Sequence, residues 1–172
     1  MKFIGISLGD VCYAAEWAVQ NGLRKRKQDG YKTCPFDLMV SNYTGVIKCI
    51  EDDFKYFCDT DYLQLNDNII YNTYYNFGFN HESPYHCDIY LHENWPEGAN
   101  HFINNNYLHF IQRYNRRIQS FRNYLNDPDN RITFIIYFGY DGTPKDRKLS
   151  ELRKALSVKY PNLKYKIKIL EK

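Results

Sequence analysis

ITFIIYFG, residues 132–139, is apolar almost without a break and is rich in β-branched and aromatic side chains. A half-buried strand would alternate; a run of this kind reads as a strand covered on both faces, near the centre of a sheet. The next thirty residues decide how that sheet is built. Lys148 to Tyr160 carries Leu149, Leu152 and Leu156 on one side of a helix. Pro161-Asn162 turns the chain, and KYKIKIL, residues 164–170, alternates as a strand does. Strand, helix and strand on this scale predict a right-handed parallel crossover.

Working outward, KFIGISL (residues 2–8) reads as a second short apolar strand. Asp10 is placed to cap a helix over residues 11–22 that closes at Asn21-Gly22. RKRKQDGY (24–31) reads as a charged loop, and Pro35 interrupts regular structure in KTCPFDLM (32–39). A helix is expected over 41–58, where Val46, Ile47, Ile50, Phe54, Phe57 and Cys58 recur at helical spacing. Asn66-Asp67-Asn68 is a turn signal between two apolar runs, which predicts a hairpin within 62–79. Residues 80–101 hold His81, His86, His92 and His101 together with Pro84, Pro96 and Gly98, and read as loop-rich. Tyr107, Phe110, Ile111, Tyr114, Ile118, Phe121 and Leu125 form one stripe on a helix over 103–125. The expectation is one α/β domain over residues 1–172. Its central, mostly parallel sheet is built from 2–8, 132–138 and 164–170, with helices on its faces and a β-hairpin near 62–79.

Composition narrows the function classes. The chain has 172 residues, 44% of them apolar, which is enough for a folded core. Its 17 Tyr and 11 Phe suit a core of rings whose polar tips need partners. A net charge of +3 is too small to point to nucleic acid. No apolar stretch approaches the roughly 20 residues of a membrane span. Met-Lys-Phe-Ile-Gly-Ile is broken by Gly5, Ser7, Gly9 and Asp10, so it reads as a strand and not an export leader. The five cysteines (12, 34, 49, 58 and 87) make no C-x-x-C pair. Reduced thiols in a cytoplasmic location are the expectation.

The chemistry centres on Cys12. A strand-to-helix turn is where α/β proteins place ligands, and the first N–H groups of the helix lack intrahelical acceptors. A cysteine there can have a depressed pKa and act as a nucleophile, and the same N–H groups can hold an oxyanion. Asp10 would oppose this by placing negative charge near the sulfur. The alternative is a small buried cysteine that packs helix on sheet. A nucleophile also needs a base. His81 follows an apolar run and is the first candidate; His86, His92, His101 and His109 are rivals, with His109 inside the long helix. Asp37 or Asp88 would be the orienting acid.

Ser7-Leu8-Gly9, Cys12, Leu23-Arg24, then Thr33-Cys34-Pro35-Phe36-Asp37-Leu38, resembles in order a family described as putative papain-like cysteine peptidases. Phe79-Asn80-His81-Glu82 is similar to that family's aromatic-x-His-Asp element, and Arg116-Arg117 before an apolar strand to its paired arginines. Leu38 stands where the family has Trp, Thr33 where it has Ser, and Glu82 where it has Asp. The resemblance implies a Cys12–His81 pair, with Asp37 as first choice to orient the imidazole.

Other constellations carry less. His81, His86, Cys87, Asp88 and His92 have zinc-ligand chemistry but match no spacing template, so no metal is assigned. No G-x-G-x-x-G or Walker pattern occurs, so no cofactor is assigned. The Gly-Asp opening of an esterase class fails because valine follows the aspartate and no histidine lies beyond His109. Arg24-Lys25-Arg26-Lys27, Arg113, Arg116, Arg117 and Arg122 read as solvated charge, with Arg24 and Arg117 the candidates for an anion. The sequence therefore predicts a cysteine-nucleophile hydrolase acting on a peptide, amide or small anionic substrate. Its catalytic residues would be Cys12, His81 and Asp37, and its substrate contacts Gly9, Asp10, Arg24 and Arg117. The alternative is a non-catalytic module for a phosphate or sugar phosphate at the strand ends, held by Arg24, Arg117 and the helix N-terminus. Neither reading involves a membrane or nucleic acid.

Overall fold

The computed structural model describes residues 1–89, 95–138 and 145–170. In chain order its elements are β1 (Lys2–Ser7), α1 (Tyr13–Gln20), α2 (Tyr43–Glu51), β2 (Leu63–Asn66), β3 (Ile69–Asn72), β4 (Phe77–Gly78), α3 (Asn104–Asn126), β5 (Asn130–Tyr137), α4 (Lys145–Lys159) and β6 (Tyr165–Leu170). Short 3₁₀ turns at Pro35–Leu38 and Asn80–Glu82 matter for the site.

β5 is the middle strand of a three-stranded parallel sheet of order β1-β5-β6. Ile6 pairs with Phe134, and Phe134 with Ile167. Every β5 residue except Arg131 is buried, as the unbroken apolar run predicts. The strand begins at Asn130 and ends at Tyr137; Gly139 lies outside the described residues. Its two faces serve two layers. Ile135 and Tyr137 meet Ala14 and Ala18 of α1, whose small side chains let helix and sheet approach closely. Ile132, Phe134 and Ile136 face the larger core. On β6, Lys166 and Lys168 are exposed while Leu170 is buried, and lysines on an edge strand oppose pairing with another chain.

The larger core is mostly rings. Phe36 packs against Phe54, Phe57, Phe77 and Phe121 with centroids 5.8–6.5 Å apart. The α3 stripe Phe110, Tyr114, Ile118, Phe121 and Leu125 is buried there as its spacing predicts. The region 62–79 is a hairpin, β2 to β3, turning through Asp67 and Asn68 at φ 49° and 59°. β4 adds a third strand, so β2-β3-β4 is a separate antiparallel sheet. The parallel sheet thus accounts for only part of the β structure.

Two helices differ from the spacing. α2 stops at Glu51 because Asp53 and Phe54 are left-handed, at φ 52° and 63°. Phe54 and Phe57 are still buried, so turn residues that face the core mimic helical periodicity. α3 opens with a left-handed stretch, Asn105, Asn106 and Tyr107, before regular helix. Among the described residues no helix is long and apolar enough to cross a membrane.

Candidate active site

The turn from β1 into α1 is tightly held. The Gly9 N–H donates to Ser7 Oγ (3.1 Å), and the Tyr43 hydroxyl donates to the Gly9 carbonyl (3.3 Å). The Asp10 N–H donates to Ser41 Oγ (2.9 Å), while the Ser41 N–H donates to the Asp10 carbonyl (2.9 Å). Gly9 sits at φ 95°, and a Cβ there would overlap Ser41 Oγ, so only glycine fits. Asp10 is left-handed too, at φ 73°, and is 3% exposed. Gly9 and Asp10, expected among substrate contacts, are buried in the turn that carries Cys12.

The helix begins later than its sequence suggests. Its N-cap is Cys12 and not Asp10, and the thiol makes no capping hydrogen bond. The Cys12 carbonyl accepts from the N–H groups of Ala15 (3.0 Å) and Glu16 (3.1 Å). The depressed thiol pKa expected from a helix start is also reversed. Burial pushes the half-buried Cys12 thiol up, and the Glu16 carboxylate one turn on adds to this by charge and by a hydrogen bond. Only the thiol's own backbone N–H opposes it.

His81 lies on the Asn80–Glu82 turn that follows β4. Burial lowers its pKa; Glu82 and Glu16 pull it up, while Arg117 and His86 push it down. One carboxylate, Glu16, therefore acts on both Cys12 and His81. Together the shifts favour a neutral thiol and a neutral imidazole at rest.

Asp37 is held by other partners. Its oxygens accept from Arg24 Nη1 (2.7 Å), the Tyr31 hydroxyl (3.1 Å) and the Cys34 N–H (2.8 Å), and none of these is His81. Burial raises the Asp37 carboxyl pKa, while Arg24 and the other donors hold it down. Arg24 also lies over the Tyr31 ring, 4.6 Å from its centroid. Asp37, expected to orient His81, makes its hydrogen bonds with Arg24, Tyr31 and the Cys34 N–H.

A second carboxylate centre adjoins His81 in sequence. Glu82 is fully buried and accepts from the Tyr114 hydroxyl (3.0 Å) and Arg113 Nη1 (3.2 Å). Arg117 Nη1 pairs with it at 2.9 Å. The side chain of Arg117 is 10% exposed and that of Arg113 21%. The sequence marked Glu82 only as a substitute for aspartate. A glutamate on a short turn carries no local signal that two arginines from a distant helix will meet it.

A cleft of about 880 Å³ opens beside His81, bounded by the loop before Pro35 and by one face of α3. Arg117 lines it, whereas Arg24 does not. Among the described residues, the one group of three or more metal-type side chains with ligand atoms within 4.8 Å of one another is Glu97, His101 and His109. His101 and His109 stack with centroids 4.2 Å apart, and His109 Nε2 lies 3.1 Å from Glu97 Oε1. Of the loop cluster considered from sequence, His92 lies outside the described residues. All five cysteines are free thiols.

Fold and site together describe an α/β protein with a half-buried cysteine where its first parallel strand hands over to a helix. The chain belongs to the family described as putative papain-like cysteine peptidase, whose model matches residues 4–171. No curated protein and no solved structure gives a significant match.

Proposed function

We propose that this protein is a hydrolase of amide or peptide bonds in which Cys12 is the nucleophile and His81 the general base. The observation that carries the reading is the half-buried Cys12 at the start of α1, directly after the strand β1, in a chain whose family is described as peptidase-like. The resting pair is neutral, so the thiol gives up its proton as it attacks and is not a preformed thiolate. The sulfur bonds to the acyl carbon, the proton passes to His81, and the first N–H groups of α1 receive the oxyanion. The imidazolium then protonates the leaving amine as the C–N bond breaks. Water, deprotonated by His81, attacks the thioester and releases the acid and the Cys12 thiol. Gly9 and Asp10 shape the turn that aims the sulfur. Asp37 fixes Arg24 and the Pro35–Leu38 turn.

Iodoacetamide alkylation followed by peptide mapping tests the pair without knowledge of the substrate. Cys12 is expected to label at neutral pH, and His81→Ala to slow that labelling about tenfold or more, while Cys87 labels equally in both. Equal rates at Cys12 in the two proteins would overturn the pairing.

A further inference from the structure

We propose that the cleft beside His81 is a recognition site for a polyanion, a group bearing two or more carboxylates or phosphates, and that it selects the substrate of the Cys12–His81 pair. The substrate role rests on the hydrolase reading; the binding itself does not.

The charge on the cleft wall is one-sided. Lys27 and Lys32 face it from the loop, and Arg113, Arg116 and Arg117 from α3. His81, His101 and His109 line it as well, and among the described residues no aspartate or glutamate does. A merely solvated helix face mixes signs. Two acids back the wall without lining it: the exposed Glu97 pairs with His109, and the buried Glu82 is one carboxylate shared by two guanidiniums, which leaves a surplus positive charge on the five lysines and arginines. Lys27, Lys32 and Arg116 have no carboxylate partner among the described residues. Cations concentrated in a concave wall repel one another and focus positive potential into the cleft.

The arginines are also held in place. The Arg113 guanidinium lies over Phe102, 4.3 Å from the ring centroid, and that of Arg117 over Tyr114 at 4.7 Å. Planar guanidiniums fixed in this way suit bidentate contact with carboxylate or phosphate oxygens. The cleft's volume matches a ligand far larger than a bare ion, and Leu38, Tyr31 and Phe102 supply apolar contact within it. Because His81 lies on the same wall, an anion seated there brings neighbouring atoms of the ligand toward the proposed base.

Calorimetry on the whole chain tests this with two probes, tripolyphosphate and tetraglutamate, and tetraglutamine as the neutral control. Expected is saturable binding of at least one anionic probe. The affinity should fall about tenfold between about 50 and about 300 mM salt. The triple variant Lys27→Ala, Lys32→Ala, Arg116→Ala should bind about tenfold or more weakly, and the single charge reversal Arg116→Glu should act in the same direction. Arg153→Ala, Lys154→Ala, Lys159→Ala removes the same charge from the exposed side of α4 and should stay within about twofold of the parent. Tighter tetraglutamate binding assigns the site to an acidic peptide segment, and tighter tripolyphosphate binding to a phosphorylated molecule. No binding of either probe, or equal weakening by the two triple variants, overturns the proposal. Anion binding without His81-dependent labelling of Cys12 would refute the catalytic reading alone.

Discussion

Glu82→Gln removes one charge from a polar cluster built on a fully buried carboxylate and leaves its shape unchanged. The fully buried carboxylate holds Arg113, Tyr114 and Arg117. Breaking a buried ion pair by neutralising one partner costs about 3–5 kcal/mol, because the other charge stays buried without compensation. Two features place this site at the lower end. The amide oxygen of glutamine still accepts from Tyr114, and the side chain of Arg113, 21% exposed, can turn toward water in the cleft. The side chain of Arg117, 10% exposed, has less room to do so. The expected loss is about 3 kcal/mol, which at this chain length lowers Tm by about 6–12 °C. Urea unfolding followed by circular dichroism, with an unchanged m-value, measures it. The double variant Glu82→Gln, Arg117→Met removes the stranded charge and is expected to recover about 1 kcal/mol or more relative to Glu82→Gln alone. A loss below about 1 kcal/mol for the single variant, with no recovery in the double, would refute the view that this carboxylate anchors the arginines.

Glu16→Gln takes away the charge that raises the Cys12 thiol. The pH midpoint of Cys12 alkylation should move down, and the rate near neutral pH rise about threefold or more; an unchanged pH–rate profile would remove Glu16 from the site. His81 contributes a pH dependence of stability. Its folded pKa lies below the unfolded value of about 6.5, so between the two the unfolded chain binds more protons. Stability therefore falls as the pH drops below about 6.5 and levels off below the folded pKa. His81→Asn should flatten that slope in chemical unfolding between about pH 7 and about pH 5, and a slope unchanged from the parent would show that burial of His81 is not its source.

Much of the fold is legible because it depends on local patterning. The apolar run at 132–137, the crossover into 165–170 and the stripe from Phe110 to Leu125 each arise from which faces must leave water. Asp67-Asn68 announces its hairpin by side-chain chemistry suited to left-handed backbone. The errors share a cause. Phe54 and Phe57 keep helical spacing while the backbone turns, since burial of a ring records only that it faces the core. Asp10 has an N-cap's identity, but its backbone is tied to Ser41, distant in sequence, and the cap passes to Cys12.

The site divides in the same way. Cys12, His81 and Arg117 are candidates by residue type and order, because nucleophilicity, basicity and positive charge are properties of single side chains. Which charges meet is not such a property. Asp37 accepts from Arg24 and Tyr31, and Glu82 gathers two arginines, both through tertiary packing. Local sequence determined the α/β elements and the reactive groups available, since hydrophobic periodicity and backbone preference act over a few residues. Only the tertiary structure decided the ion-pair partners, the raised thiol and the cleft's single sign of charge, since desolvation and Coulomb energy depend on distances the folded chain alone sets.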